Sequence, residues 1–388
     1  MTPDPTTPTL PGLAIDRFLS HGESSPEAID AFVEAHTFPL IEETSVTFVY
    51  RGLVDEVRLQ HFIYGLETSQ PFHRLGDSDF WHLTLELPQD SVLQYKLNIA
   101  HGEDHQWILD PLNPNKAHDP FGANSIVRTT GSKRPEWTLP HEETRAGDMV
   151  RVSLHSEAFD RERDVLLYLP ARFRRTRRYP LLVVHDGHDY LRYSDLKTVL
   201  DNLIHRLEVA PMLVALTNAE ERLEEYPDDP RHARFLTEEL VPTLEKDWPL
   251  RGTPAARGLM GASFGGVASL SCAWRYPGFY GRLLLQSGSF AFTDIGPSRR
   301  GETFDPVVRF VNAFRQAPGR PSDRVFMSCG TYESLIYENR SMVPLLQQTG
   351  MEVKYVEARD GHNWVNWRDR LRTALPWLFP GPLWMVYE

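Results

Sequence analysis

The sequence predicts an α/β chain: a mostly parallel eight-stranded sheet layered by helices, preceded by a small antiparallel β-sandwich. Three observations predict it. Apolar runs without alternation, such as residues 181–184, recur between amphipathic stretches through residues 150–378, as strands covered on both faces by crossover helices require. Residues 45–97 instead alternate apolar and polar, the period of half-buried strands. Between a strand-like run and a helix-like run stands Gly261-Ala262-Ser263-Phe264-Gly265-Gly266, a tight turn that only small residues permit.

The elements follow in order. Residues 1–12 are rich in Pro and Thr, and a flexible N-terminus is expected over 1–20. Residues 25–35 predict a short helix. Strands are expected at 46–50, 57–62, 81–87 and 93–97, so that residues 21–135 form the sandwich. The prolines of residues 110–122 predict a long ordered loop with no regular structure. Residues 128–148, with Pro135 and Pro140, read as a linker to the larger domain at 149–388. There, strands are expected at 150–155, 164–169, 181–185, 211–216, 257–262, 282–286, 324–329 and 352–357. Helices fit at 194–208, 231–247, 265–276, 304–316, 335–349 and 363–378. Eight strands interleaved in this way match the α/β-hydrolase fold, and Ser263 then follows the fifth strand, where that fold carries its nucleophile.

Composition narrows the partners. The 388 residues exceed what one core usually serves, and a net charge of −12, from 53 acidic and 41 basic residues, disfavours nucleic acid and anionic membranes as partners. Cys272 and Cys329 lie in apolar runs and read as buried thiols. With no signal-like segment and no apolar run of spanning length, a cytoplasmic protein is expected.

A serine hydroxyl needs an adjacent base to act as a nucleophile. In this fold the order is nucleophile, acid, histidine. His362 is the histidine beyond the last strand, in Arg359-Asp360-Gly361-His362. Glu333 follows the seventh strand, where a carboxylate would fix the imidazole tautomer; capping the next helix is its alternative reading, and Asp360 is the weaker substitute. The oxyanion donors expected are the backbone N–H groups of Phe264 and of His188 or Asp189, on a turn opened by Gly187. Two histidines and two aspartates, His185, Asp186, His188 and Asp189, crowd this turn, but no metal is expected.

Taken together, "GLMGASFGGVASLSCAWRYPGFYGRLLLQSGSF", "DGHNWVNWRDRL", "VVHDGHDY" and "ERLEEY" resemble the enterochelin (enterobactin) esterase family, a branch of the esterase-D-like hydrolases. "WILDPLNP" and "DPFGANS" resemble its N-terminal domain, of early-set or Ig-like type. The resemblance implies a serine esterase with Ser263 as nucleophile, His362 as base and Glu333 as acid, although some members work with a Ser–His dyad. It implies a catecholate siderophore ester as substrate and iron release inside the cell, the iron belonging to the substrate and not to a cofactor. Arg222 and Trp364 would bind the substrate beside Gly187, the arginine through its charge and the tryptophan by stacking; core packing competes with stacking for Trp364 and Trp367, and more strongly for Trp81 and Trp107. A carbohydrate-ester (acetyl or feruloyl) hydrolase is the alternative with the same chemistry. A non-catalytic binding protein on a hydrolase scaffold is the alternative of another class.

Overall fold

A computed structural model describes residues 12–22, 24–292 and 301–382; the lead-in at 1–11 lies outside the described residues. Chain contacts divide it into two compact units, Met1–Ala117 with Gly122–Lys133, and His118–Phe121 with Arg134–Glu388.

The first unit opens with α1 (Ala14–Ser20) and α2 (Pro26–Glu34). Ser25 caps α2 by accepting from the Ala28 N–H, and Pro26 suits the first helical position because its missing donor is not needed there. The flexible segment expected over 1–20 is therefore helical from Ala14. Ile15 is buried, and Phe18 stacks on Phe32 with ring centroids 4.4 Å apart, so apolar contact orders it. Ten strands follow: β1 (Leu40–Glu42), β2 (Ser45–Arg51), β3 (Glu56–His61), β4 (Ser69–Pro71), β5 (His73–Arg74), β6 (Phe80–Glu86), β7 (Val92–His101), β8 (Asp104–Ile108), β9 (Lys116–Asp119) and β10 (Gly122–Arg128). They form one sheet of order β1-β2-β6-β5 and another of order β4-β3-β7-β10-β9, with β8 on β7. In β3 every second residue is buried, which is the alternation read from the sequence. The loop expected over 110–122 is a correction. Pro111, Pro114 and Pro120 fall between strands, leaving 116–119 free to pair as β9.

The second unit is built on one sheet of order β11-β12-β14-β13-β15-β16-β17-β18: Asp148–Ser156, Arg161–Leu169, Leu213–Leu216, Leu181–Val184, Arg257–Ala262, Arg282–Gln286, Arg324–Gly330 and Glu352–Ala358. Pairings from β14 to β18 are parallel, and those of β12 with β11 and β14 antiparallel. The sheet is thus mixed. Its helices are α3 (Gly187–Tyr193), α4 (Leu196–His205), α5 (Arg222–Glu225), α6 (Pro230–Arg234), α7 (Val241–Asp247), α8 (Phe264–Arg275), α9 (Asp305–Gln316), α10 (Ile336–Gln348) and α11 (Trp364–Leu378).

Along β13, Leu181 and Val183 join one apolar cluster with Val267, Leu244, Phe310 and Met342, while Leu182 and Val184 join a second with Leu200, Leu203 and Leu371. Both faces are covered, which is why the strand shows no alternation in sequence. The helix expected over 194–208 is α4, which starts at Leu196 because Asp195 before it adopts φ +49°; α3 is a further short helix on residues expected only as a turn. Between α6 and α7, residues 235–240 form a π-helical stretch. Within the expected linker, residues 136–138 make a 3₁₀ turn, and Trp137 is buried in the second cluster.

Candidate active site

Strand β15 ends at Ala262, and Ser263 turns the chain into α8 with φ +57° and ψ −122°. A non-glycine residue held there is strained, and its surroundings fix it. Its N–H donates to the Gln286 carbonyl at 3.0 Å, while its carbonyl accepts from the Gly266 and Ser289 N–H groups. A Cβ on Gly261 would stand 2.2 Å from the Gly265 carbonyl oxygen, so strand and helix approach as closely as they do only because position 261 is glycine. Ser263 Oγ lies 3.2 Å from Ser289 Oγ. Phe264 is the first residue of α8, and the first turn of a helix leaves its N–H groups without intrahelical partners.

His362 and Glu333 meet. The His362 Nδ1–H donates to Glu333 Oε2 at 2.7 Å, with the carboxylate buried and the imidazole partly exposed. Glu333 Oε1 accepts from the Gly330 N–H at 2.7 Å, from Ser287 Oγ–H at 2.6 Å and from Asn366 Nδ2 at 3.3 Å. A buried carboxylate oxygen requires such hydrogen-bond partners to offset its lost hydration. The helix-capping alternative for Glu333 is a correction: the side chain faces the histidine loop and β17. Segment 287–289 joins the two halves of the site, since Ser287 serves Glu333 and Ser289 touches Ser263. Trp367 donates its Nε1–H to Ser287 Oγ at 2.9 Å and sets its ring edge-on to His362, centroids 5.1 Å apart. Asp360, the weaker substitute for the acid, is engaged elsewhere. Its Oδ1 accepts from the Gly361 N–H and Asn363 Nδ2, and burial pushes its carboxyl up to about 7.

The turn after β13 lies against the elbow, because a Cβ on Gly265 would stand 3.2 Å from the His185 Cβ. Asp186 adopts φ +52°, and Gly187 packs so close to Leu216 that a Cβ would lie 2.5 Å from it. Two corrections arise here. The His188 N–H, expected as an open donor, is engaged by Asn218 Oδ1 at 3.2 Å. Arg222, expected to hold the substrate, forks onto Asp186 through Nε and an Nη, both at 2.8 Å, and so secures the turn. Asp189, half-buried on α3, has its carboxyl raised by burial and by Asp186. Beneath the turn, His185 Nδ1 meets the Met260 carbonyl at 3.1 Å and its Nε2 meets His232 Nε2 at 3.0 Å. Burial first, then the neighbouring His232, holds the His185 imidazole down at about 3, so it is neutral. Among the described residues no group of three or more His, Cys, Asp and Glu side chains is arranged to hold a metal.

Trp364 is a further correction. It is buried against Tyr190, ring centroids 5.2 Å apart, and against Trp367; the apolar faces of α3 and α11 claim it before any ligand. Trp81 is likewise buried, whereas Trp107 is exposed. Reading from the sequence missed Ser287, Ser289 and Asn366 as supports of the site. Their only signal was the small-residue run Ser287-Gly288-Ser289 at the end of a strand, with no spacing tying it to Glu333.

Comparison with known proteins places this geometry. The Esterase family model matches residues 156–378. The iron(III) enterobactin esterase of Dickeya dadantii is 23% identical over 347 residues, which span 80% of each chain. The ferric enterobactin esterase of Salmonella typhimurium superposes with a TM-score of 0.71 at 21% identity, covering 86% of this chain and 93% of that one. A structure of the Shigella flexneri enterobactin esterase determined in the presence of enterobactin gives 0.70 at 21% identity, covering 86% and 92%. These structural likenesses establish a shared fold.

Proposed function

The chain belongs to the Esterase family of carboxylic ester hydrolases, and from that premise we propose that it is a serine esterase acting through an acyl-enzyme on catecholate siderophore esters. Ser263 Oγ attacks the ester carbonyl. His362 accepts the hydroxyl proton at Nε2 and returns it to the departing alcohol, while Glu333 keeps the other ring proton on Nδ1. The N–H groups of Phe264 and Asp189 receive the oxyanion. Water, activated by His362, then resolves the ester on Ser263.

The observation that carries this reading is the 2.7 Å bond between His362 Nδ1 and the buried Glu333 carboxylate. It leaves Nε2 as the acceptor that a serine nucleophile needs. For the acyl group, the support is the likeness to enterobactin esterases over most of the chain. The iron would arrive with the substrate, and a cytoplasmic site of release accords with a chain in which no helix among the described residues is long and apolar enough to cross a membrane.

Two measurements test it. A fluorophosphonate probe should label Ser263 and leave Ser263→Ala unlabelled; a wild-type chain that takes no label overturns the catalytic reading in favour of a binding protein. A panel of ferric triscatecholate trilactone, feruloyl sugar and acetyl sugar, with mass detection of the fragments, should show the trilactone turned over fastest. Preference for a sugar ester would move the assignment to the carbohydrate-ester class.

A further inference from the structure

At the opposite end of the second unit's strands from Ser263, where β13 and β14 begin, a cleft of about 220 Å³ is lined by Arg145, Arg172, Arg177 and His205 together with Tyr179 and Leu207. Its source is the segment between β12 and β13, in which Arg172, Arg174, Arg175, Arg177 and Arg178 fall within seven residues of an acidic chain. These arginines divide the work. Arg175 and Arg178 donate to the Asp247 and Leu250 carbonyls, and the Arg174 N–H donates to the Tyr179 hydroxyl. Those bonds hold the segment in place and leave Arg172 and Arg177 turned to the cleft.

Among the described residues, Arg145, Arg172 and Arg177 take part in no ion pair. Other arginines of the same unit are matched, among them Arg257 to Glu245, Arg340 to Glu357 and Arg372 to Glu208. In a chain with 53 acidic residues, three exposed arginines that line one cleft with no ion-pair partner leave it positively charged, which an anion would offset. The C-terminal end of α4, at His205, contributes roughly half a negative charge, which three full positive charges outweigh.

We propose that this cleft binds a small organic phosphomonoester. A phosphate dianion offers three oxygens to three guanidinium forks, whereas a monocarboxylate satisfies one. Its organic group lies on Tyr179, Ile204, Leu207 and Pro211. A volume of about 220 Å³ admits a phosphate and one small ring.

The experiment is titration calorimetry on the full chain in a phosphate-free buffer at constant ionic strength, with phenyl phosphate, inorganic phosphate and benzoate as probes. Saturable one-to-one binding is expected, phenyl phosphate tightest and benzoate weakest, and weakening as salt rises. The double variant Arg172→Gln/Arg177→Gln should bind phenyl phosphate at least about tenfold more weakly, as loss of charge-assisted hydrogen bonds implies, while hydrolysing p-nitrophenyl acetate at the wild-type rate with an unchanged unfolding midpoint. Co-sedimentation with phosphatidylcholine vesicles carrying phosphatidic acid separates a lipid source of the same headgroup from a soluble one. Absence of saturable heat with phenyl phosphate, equal binding by the double variant, or vesicle binding without soluble-ligand binding would each overturn the proposal.

Discussion

Replacing Glu333 by Gln keeps the volume and removes the charge, and the neighbouring donors decide how the glutamine amide orients. Oε1 of Glu333 receives three hydrogen bonds, from Ser287, Gly330 and Asn366. A glutamine must therefore place its carbonyl oxygen there and turn its NH₂ toward His362. That NH₂ can only donate, so Nδ1 of His362 becomes the acceptor and the ring proton moves to Nε2. The atom that should take the Ser263 proton is then already protonated. The same tautomer reversal in a serine protease triad lowers kcat by about 10⁴, or about 5.5 kcal/mol of barrier at 1.36 kcal/mol per tenfold. Glu333→Gln should therefore lose about 10³ to 10⁴ in kcat on p-nitrophenyl acetate, with KM within about twofold and an unfolding midpoint within a few degrees. Steady-state kinetics and a thermal scan suffice to measure this. A variant that kept a tenth of its kcat would refute the reasoning and favour a Ser263–His362 dyad.

Three further outcomes are expected. Arg222→Met should lower kcat several-fold with little change in KM, because the arginine holds Asp186 and the turn beside the elbow; a rise in KM alone would restore Arg222 as a substrate contact. Gly187→Ala should destabilise the protein by about 1–3 kcal/mol, the usual cost of overpacking, since its Cβ would meet Leu216 at 2.5 Å; an unaltered urea midpoint would contradict the packing. For Asp360, burial raises the folded-state value from 3.8 to about 7. The folded form thus holds a proton that the unfolded form releases, and this stability is complete below 3.8 and lost as pH rises toward 7. His185 has the opposite sign: folded at about 3 against 6.5, it adds stability as pH rises over that window. Asp360→Asn should consequently gain stability relative to wild type by about 1.4 kcal/mol per pH unit between 4 and 7; urea unfolding at pH 5, 6 and 8 checks it, and a flat difference would show that Asp360 does not titrate in this way.

The sequence by itself determined the strands and the longer helices of the second unit, and with them the places of Ser263, Glu333 and His362. Apolar runs are imposed by burial on both faces of a sheet, and the elbow's small residues by the Gly261–Gly265 approach, so both are written locally. Alternation likewise marked β3 and β7. What local pattern missed was β9, where three prolines disguise a strand lying between them, and α3, a short helix in residues expected as a turn and separated from α4 by Asp195 in the left-handed conformation. Only the tertiary structure decided how the candidate site is held. Arg222 could be read as a substrate cation until Asp186, 36 positions away in sequence, paired with its Nε and one Nη. Trp364 could be read as a stacking platform until Tyr190 covered it. Ser287 and Asn366 gained their part because the ends of β16 and β17 and the start of α11 converge on one carboxylate. Which residue types occur at a position reflects local backbone and burial, and those are legible in a chain; which partner a charge or a ring finds depends on which distant segments the fold brings within hydrogen-bonding distance, and no spacing in the sequence records that.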